Sequence, residues 1–472
     1  MPGLFGNLSL ASKALMAHQA AIQVTSRNIA NVNNPEHARQ RVIMGDRAFV
    51  PTAQGPEGTG VEVLTVEQMR DAFLDKQVVR QIADESSLQA QSDALTNAEL
   101  ALGDRIDRAT DPASVQDVTK STSGIGAALD EFFNAFDALA VSPRDIPARN
   151  VALQKAQILA DRINNADARL ATVQSDLATQ IEADLNKANV LLSDIARLNS
   201  EIADANIRES GSASDLIDRR QAKLEALSGL LKIETAQIPN AYGQIEVRIG
   251  GLNFVDYGQK LGDLKYDSVN QVITSSQDLA QTLVVGGGAV DGRLSAMKGA
   301  INDARTRVQA IATNLATEVN SKYDTATAAA SRQEFFVTTS LPSGQLVALN
   351  TAIDSSTLKT SSLSLAGGND YLTGIAGLRS STVAGLGNLT LGDYTRNTVG
   401  QVGQVLLGIN TRLEESTVIK TALTTQRDAV SSVSLDEETA DLMRFQRAYQ
   451  ANARVISVVD ELLDTLINRM VR

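Results

Sequence analysis

Any catalysis in this chain would have to come from very few side chains. Its 472 residues include two histidines and no cysteine, so thiolate nucleophiles, disulfides and cysteine-bound metals are excluded. His18 falls inside a helical repeat, and His37 follows Pro35 in a turn. Neither stands beside the partner residues that make a histidine a general base. No Gly-x-Ser-x-Gly elbow supports a serine nucleophile. Gly124-Ile125-Gly126 lies in a helical pattern with no strand before it, and Gly286-Gly287-Gly288 lacks the Lys-Ser/Thr of a phosphate loop. The acidic run Asp436-Glu437-Glu438 could hold a cation. However, Ser434 stands three residues before Glu437, the spacing of a capping box, and acids in a first turn complement the helix dipole. Phe132, Phe133 and Phe136 read as core rather than as a ligand pocket. The expectation is therefore no catalytic residue, no cofactor and no metal ligand: not an enzyme.

The elements that would position any site are mostly helical. Leu8, Ala11, Leu15, His18, Ile22, Thr25 and Ile29 recur at steps of three and four, and Leu442, Phe445, Tyr449, Asn452, Ile456, Val459, Leu463, Leu466 and Met470 repeat the pattern at the other end. The mean step, about 3.5 residues, is that of a coiled-coil seam. Stripes at opposite termini can be buried only against each other or against neighbouring molecules. The chain is expected to fold back on itself, terminus beside terminus, which suits a subunit of an assembly better than an enzyme.

Between the termini the pattern changes several times. A first helix should open near Asn7 or Ser9 and stop before Pro35, because a residue preceding proline disfavours the helical region. Short strands are expected at 41–44 and 60–64, with a Pro/Gly loop between them through Pro51, Gly55, Pro56 and Gly58. Helices follow over about 66–109, with a break at Asp111-Pro112, and over 123–140. Next comes a very long register from Ile163 to Ile202, and then a helix over 213–231. From Ile233 the chain reads as β: Ile245, Val247 and Ile249 alternate with Glu246 and Arg248. A helix over 292–323 interrupts before a second Ser/Thr/Gly-rich, strand-like stretch at 335–391, and the chain is helical from about Tyr394 onward.

The expected fold is mainly α with a β-rich insert domain, arranged as an elongated multidomain rod. Residues 1–65 with 431–472 would form a terminal coiled-coil domain. Residues 66–232 with 292–334 and 395–430 would form a long-helix bundle, and 233–291 with 335–394 a distal β-rich domain. Aromatic content of 4% leaves the packing to Ala, Leu, Ile and Val. A formal net charge of −12 argues against nucleic acid as a partner and disfavours anionic lipid. No segment approaches the ~18 to 20 apolar residues of a membrane span. The N-terminus lacks the basic region and unbroken apolar run of a cleaved secretory signal. Absence of cysteine fits either an ordinary cytosolic protein or one exported unfolded.

The terminal sequences are distinctive. Ala14 to Ile22, followed by Thr25-Ser26-Arg27-Asn28-Ile29-Ala30-Asn31-Val32-Asn33-Asn34-Pro35, resembles the N-terminal signature of bacterial flagellar rod, hook and hook-associated axial proteins. Gln446 to Ile456, ending in Asp460-Glu461-Leu462-Leu463, resembles their C-terminal signature. Ser434 to Gln446, the stretch from Phe132 to Arg149, and Gly60 to Val63 with Arg70 to Leu74 are similar to members at the hook–filament junction. The resemblance implies a structural, type III-exported, extracellular protein that polymerises as a ring. Its implied partners are other copies of itself, the flagellar hook protein, the third hook-associated protein and an export chaperone. The hook protein and the third hook-associated protein are the alternative identities within the family, and an axial protein with a hydrolytic insert is a more distant one. Leu8, Leu15, Ile22, Asn28, Ile29, Asn31, Asn33, Pro35 and Arg39, with Leu442 to Leu466 along the second stripe, are the implied assembly residues. Family members often carry glycine after the proline. Here Glu36-His37 follow Pro35, which questions a glycine-dependent turn.

Overall fold

The computed structural model describes residues 4–46, 49–52, 55–58, 60–103, 124–208, 213–325, 332–362 and 367–469. The chain divides into two compact units. One comprises Met1–Ser86, Asp184–Gly288 and Glu415–Arg472, and the other Ser87–Ala183 and Ala289–Glu414.

The first unit opens with helix α1 (Leu4–Ala30). It begins before the two expected caps and stops at Ala30, where the Asn31 side-chain amide donates to the Arg27 carbonyl at 2.9 Å. Strand β1 (Gln40–Asp46) pairs antiparallel with β4 (Val61–Gln68), both longer than expected. The Pro/Gly stretch between them is a second two-stranded ribbon rather than a loop, β2 (Phe49–Thr52) with β3 (Gly55–Gly58), and Pro51 stands opposite Pro56. A ribbon with no third strand has free edges where a missing N–H costs little. Helices α2 (Ala72–Leu102) and α4 (Ile146–Arg208) contribute residues to both units, while α5 (Ser214–Leu230) lies wholly in this one.

Seven short strands follow α5. β5 (Glu234–Gln237), β6 (Ile245–Ile249), β7 (Leu252–Asp256) and β8 (Gln259–Lys260) form one antiparallel sheet in chain order. β9 (Leu264–Asp267), β10 (Val272–Ser275) and β11 (Asp278–Leu283) form another. Ile245, Val247 and Ile249 are buried and Arg248 is exposed, as the alternation anticipates. Asparagines of α4 fasten the sheets to the helix. Asn199 donates to the carbonyls of Ile245 and Tyr257, and Asn189 both donates to and accepts from the Leu264 backbone.

The second unit contains α3 (Gly124–Val141), α6 (Gly288–Ala296), α7 (Asn302–Lys322), a short pair β12 (Phe336–Val337) with β13 (Ala348–Leu349), and α8 (Asp370–Gly377). The single helix expected over 292–323 is interrupted by a π-turn, Met297–Ile301, where Gly299 leaves helical geometry at ψ −111. Phe132, Phe136, Phe335 and Phe336 are fully buried and Phe335 meets Phe336 edge-on at 5.0 Å, so the phenylalanine run is core.

Among the described residues of the stretch 335–391, β12 and β13 are the only strands, with one isolated bridge between Val383 and Leu389. Polar side chains, two of them from helices, take backbone donors that a sheet would use: Asn320 Oδ1 of α7 accepts from Phe335 and Phe336, Asn164 Oδ1 of α4 from Leu346, and Asp354 Oδ1 within the stretch from Ser356 and Thr357. This stretch also belongs to the second unit, whereas 233–288 belongs to the first. The two stretches expected to share one β-rich domain thus fall in different compact units. Helix α9 (Leu391–Ser431) contributes to both units, and α10 (Leu435–Arg469) closes the first. The expected break at Asp111-Pro112 and the seam residue Met470 lie outside the described residues. No described helix is long and apolar enough to cross a membrane.

Candidate assembly interface

Helices α1 and α10 lie side by side; the His18 and Phe445 rings sit 6.3 Å apart. The closely covered line of α1 is made of small residues. Ala11, Ala17 and Ala21 are at most 2% exposed, and Val24, Thr25 and Asn28 continue the line. Leu8, Leu15, Ile22 and Ile29, the large residues of the expected seam, flank this line and are only half-buried. Alanine lets two helix backbones approach closely, and bulkier neighbours are then displaced to the sides. On α10, Val459 is buried, while Leu442, Phe445, Tyr449, Asn452, Ile456 and Leu463 are half-buried. The Leu466 side chain lies outside the described residues. Val455, Val458 and Leu462 form a second apolar stripe that is 46–56% exposed.

The His18 ring is partly buried, and burial lowers its pKa from the ordinary 6.5. Its Nδ1 is enclosed with no partner among the described residues. Both features belong to a neutral histidine in a helix contact, not to a catalytic base.

At the foot of this pair, polar side chains replace apolar ones. Asn28, 1% exposed, uses its whole amide: Nδ2 donates to the Gln40 carbonyl at 2.9 Å and to Glu438 at 3.0 Å, and Oδ1 accepts the Gln40 N–H and lies 3.3 Å from His37. Arg39 reaches Glu438 through Nε and Glu437 through Nη1, each at 2.7 Å, and its backbone N–H donates to Ser431. Burial works against the Arg39 charge, but the two glutamates more than offset it and raise its pKa. The acidic run therefore binds a guanidinium. The Glu437 carboxylate sits on Arg39 instead of reaching back to Ser434 as a capping box requires.

A second cluster centres on Asp218 of α5, which sequence reasoning did not single out. Its Oδ1 accepts from Arg70 at 2.6 Å and from Gln68 at 3.0 Å, and its Oδ2 from the Ala38 N–H at 3.3 Å, with His37 at 3.5 Å. Asp215, one helical turn earlier, accepts from Gln40. Two aspartates at i and i+3 on α5 were the available signal, but nothing local names their partners. Desolvation raises the pKa of Asp75, which shares Arg70 with Asp218. His37, Asp215 and Asp218 could offer three ligand atoms within 4.8 Å of one another. The Arg70 guanidinium already supplies the positive charge there, so the cluster reads as a hydrogen-bond hub.

The turn after α1 closes without glycine. The Asn34 N–H donates to Asn31, His37 to Asn34, and the Glu36 N–H to the Asn34 side chain. None of these residues has a positive φ. Asn33 and Pro35 are exposed on its outside. A cleft of about 390 Å³ opens between this turn, α5 and the α9–α10 junction.

The chain is similar in sequence to flagellar proteins. Residues 115–336 match the family model of the flagellar hook-associated protein FlgK helical domain, and 426–470 that of the flagellar basal body rod FlgEFG protein C-terminal region. Flagellar hook-associated protein 1 of Bacillus subtilis is 25% identical over 520 residues, an alignment covering 100% of this chain and 99% of that protein. The Escherichia coli protein of the same name is 24% identical, covering 97% and 98%. The solved flagellar hook junction protein FlgK of Burkholderia pseudomallei superposes with a TM-score of 0.46 and 21% identity, over 56% of this chain and 46% of that one.

Proposed function

Since this chain belongs to the family of flagellar hook-associated protein 1, structural axial proteins of the bacterial flagellum, we propose that it joins hook to filament as a ring of identical copies. Residues 1–65 with 431–472 act as the assembly domain, and α1 and α10 pair there as a coiled coil. The hook protein flanks the ring on one side and the third hook-associated protein on the other, and an export chaperone precedes both. Nucleic acid and membrane are not partners, and no reaction is catalysed.

The observation that carries this reading is the incomplete cover of the terminal helices. Within one chain α10 buries a single apolar side chain below 9% exposure, Val459, among its described residues. Leu15, Ile22, Phe445 and Ile456 remain half-covered, and Val455, Val458 and Leu462 are open. A pair so thinly covered is marginal alone and gains its stability when neighbouring copies complete the burial. Folding of the ends is thereby coupled to addition at the growing tip, which limits premature polymerisation. Lack of cysteine suits passage through an export channel unfolded.

Leu15→Asp or Ile22→Asp tests the reading, because either would bury an unpaired charge in the tube wall. The expected outcome is loss of filaments from cells that still make complete hooks, with the rest of the chain folded. Normal filaments on cells carrying either variant contradict it.

A further inference from the structure

We propose that the cleft beneath the terminal helices seats two arginines, Arg447 and Arg454, from the α10 of a second copy of this chain. This contact rests on the axial-assembly reading and goes beyond it by naming the surfaces that meet.

The cleft has an unbalanced charge. Glu36, Asp218, Glu225 and Asp428 line it, against the guanidiniums of Arg70 and Arg427. Four carboxylates against two guanidiniums leave two formal negative charges. The inner acids are satisfied: Arg70 holds Asp218 at 2.6 Å and Arg427 holds Glu225 at 2.8 Å. The surplus sits at the mouth. Asp428 is 57% exposed in its side chain, whose one ion-pair contact among the described residues is with Arg427 at 3.4 Å. The Glu36 side chain is exposed, and among the described residues only its backbone is hydrogen-bonded.

The complementary surface is on α10. Between Leu442 and Val459 its only charged residues are Arg444, Arg447 and Arg454. Arg444 is engaged by Asp441 at 3.2 Å and lies over the Phe445 ring. Arg447 and Arg454 are exposed and have no carboxylate partner among the described residues. A separation of seven residues puts them on one helix face, about 10 Å apart. Two arginines without a carboxylate partner thus match two mouth acids, Glu36 with a free side chain among the described residues and Asp428 with one 3.4 Å contact.

These arginines cannot serve the cleft of their own chain. Val433, just before α10, lines the cleft. Arg447 begins roughly 18 Å and Arg454 roughly 28 Å along the helix axis from Leu435, beyond the reach of one side chain. A second copy stacked along the axis can present them. Charge pairing at such a rim sets register between copies more than it adds affinity.

The absence of native cysteine makes the test clean. Full-length chains carrying Glu36→Cys with Arg447→Cys, or Glu36→Cys with Arg454→Cys, are expressed in cells lacking the parental gene. Mild oxidation of the isolated flagella is expected to link copies into a ladder, while the single-site variants stay unlinked. Chain present in the flagella with neither pair linking overturns the contact. Parental chain absent from flagella overturns the axial reading and the contact together. Should the paired variants fail to incorporate, charge exchange decides. Glu36→Arg with Asp428→Arg, or Arg447→Glu with Arg454→Glu, is expected to cut the number of filament-bearing cells about ten-fold or more, and combining all four to restore it. No restoration overturns the proposal.

Discussion

The aromatic core of the second unit and the terminal helix pair of the first solve the same packing problem in opposite ways. Phe132 and Phe136 are fully buried among Phe335, Phe336 and Tyr323. The α1–α10 pair meets along alanines and leaves its leucines and isoleucines half-covered. A large side chain enclosed on every side stabilises its own unit. A large side chain enclosed on one side is a surface held for another molecule. The contrast separates what this chain completes alone from what it completes in company.

Phe132→Ala should expose that contrast most strongly. It empties a fully buried site, and about 3–5 kcal/mol of stability should be lost from the second unit in denaturant titration. Leu15→Ala in the free chain should cost far less, because much of that side chain is already in water. Equal losses would erase the distinction between the two regions.

Glu438→Ala sharpens the boundary between apolar pair and polar foot. It removes one of two acceptors for the Asn28 amide and one of two hydrogen-bond acceptors for the Arg39 side chain, and leaving these donors short should cost about 1–3 kcal/mol. The loss should be read as faster proteolysis of α1 and α10 with the second unit unchanged.

Acidification should weaken the pair through His18. Burial holds its folded pKa below 6.5, so as pH falls past 6.5 the unfolded state takes up a proton first. Stability is complete above that value and is lost as pH drops toward the depressed folded value. Helix protection followed across that range should fall in the parental chain, and His18→Gln should flatten the dependence. A slope unchanged by His18→Gln contradicts the assignment.

Asp436→Ala should have the smallest effect. Asp436 is exposed in the same first turn that buries Glu438, and only its dipole contribution, about 0.3–1 kcal/mol, is at stake. Thermal unfolding should separate it from Glu438→Ala.

Helical spacing at the two ends made the terminal pair legible in the sequence, because period survives whatever the partner is. The face in closest contact was not legible to the same degree. Hydrophobicity selects Leu8, Leu15, Ile22 and Ile29, whereas close approach selects the intervening alanines, and a heptad repeat cannot distinguish the line from its flanks. The alternation at Ile245–Ile249 identified a strand correctly. The Ser/Thr/Gly richness at 335–391 misled, since the same residues that interrupt helices also satisfy irregular backbone. The polar foot was half legible: Asn28, Arg39 and the acidic run stood out, but Asp218 meets Ala38 across 180 positions and Asn28 meets Glu438 across 410. Partners that distant leave no local pattern.

Amide hydrogen exchange of the purified full-length chain, compared residue by residue with the same chain in isolated flagella, tests the central claim most directly. The account predicts α1 and α10 amides that exchange quickly in the free chain, while those of α3 and α7 stay protected, and strong protection of both terminal helices once assembled. Terminal helices as protected in the free chain as α3 would contradict it.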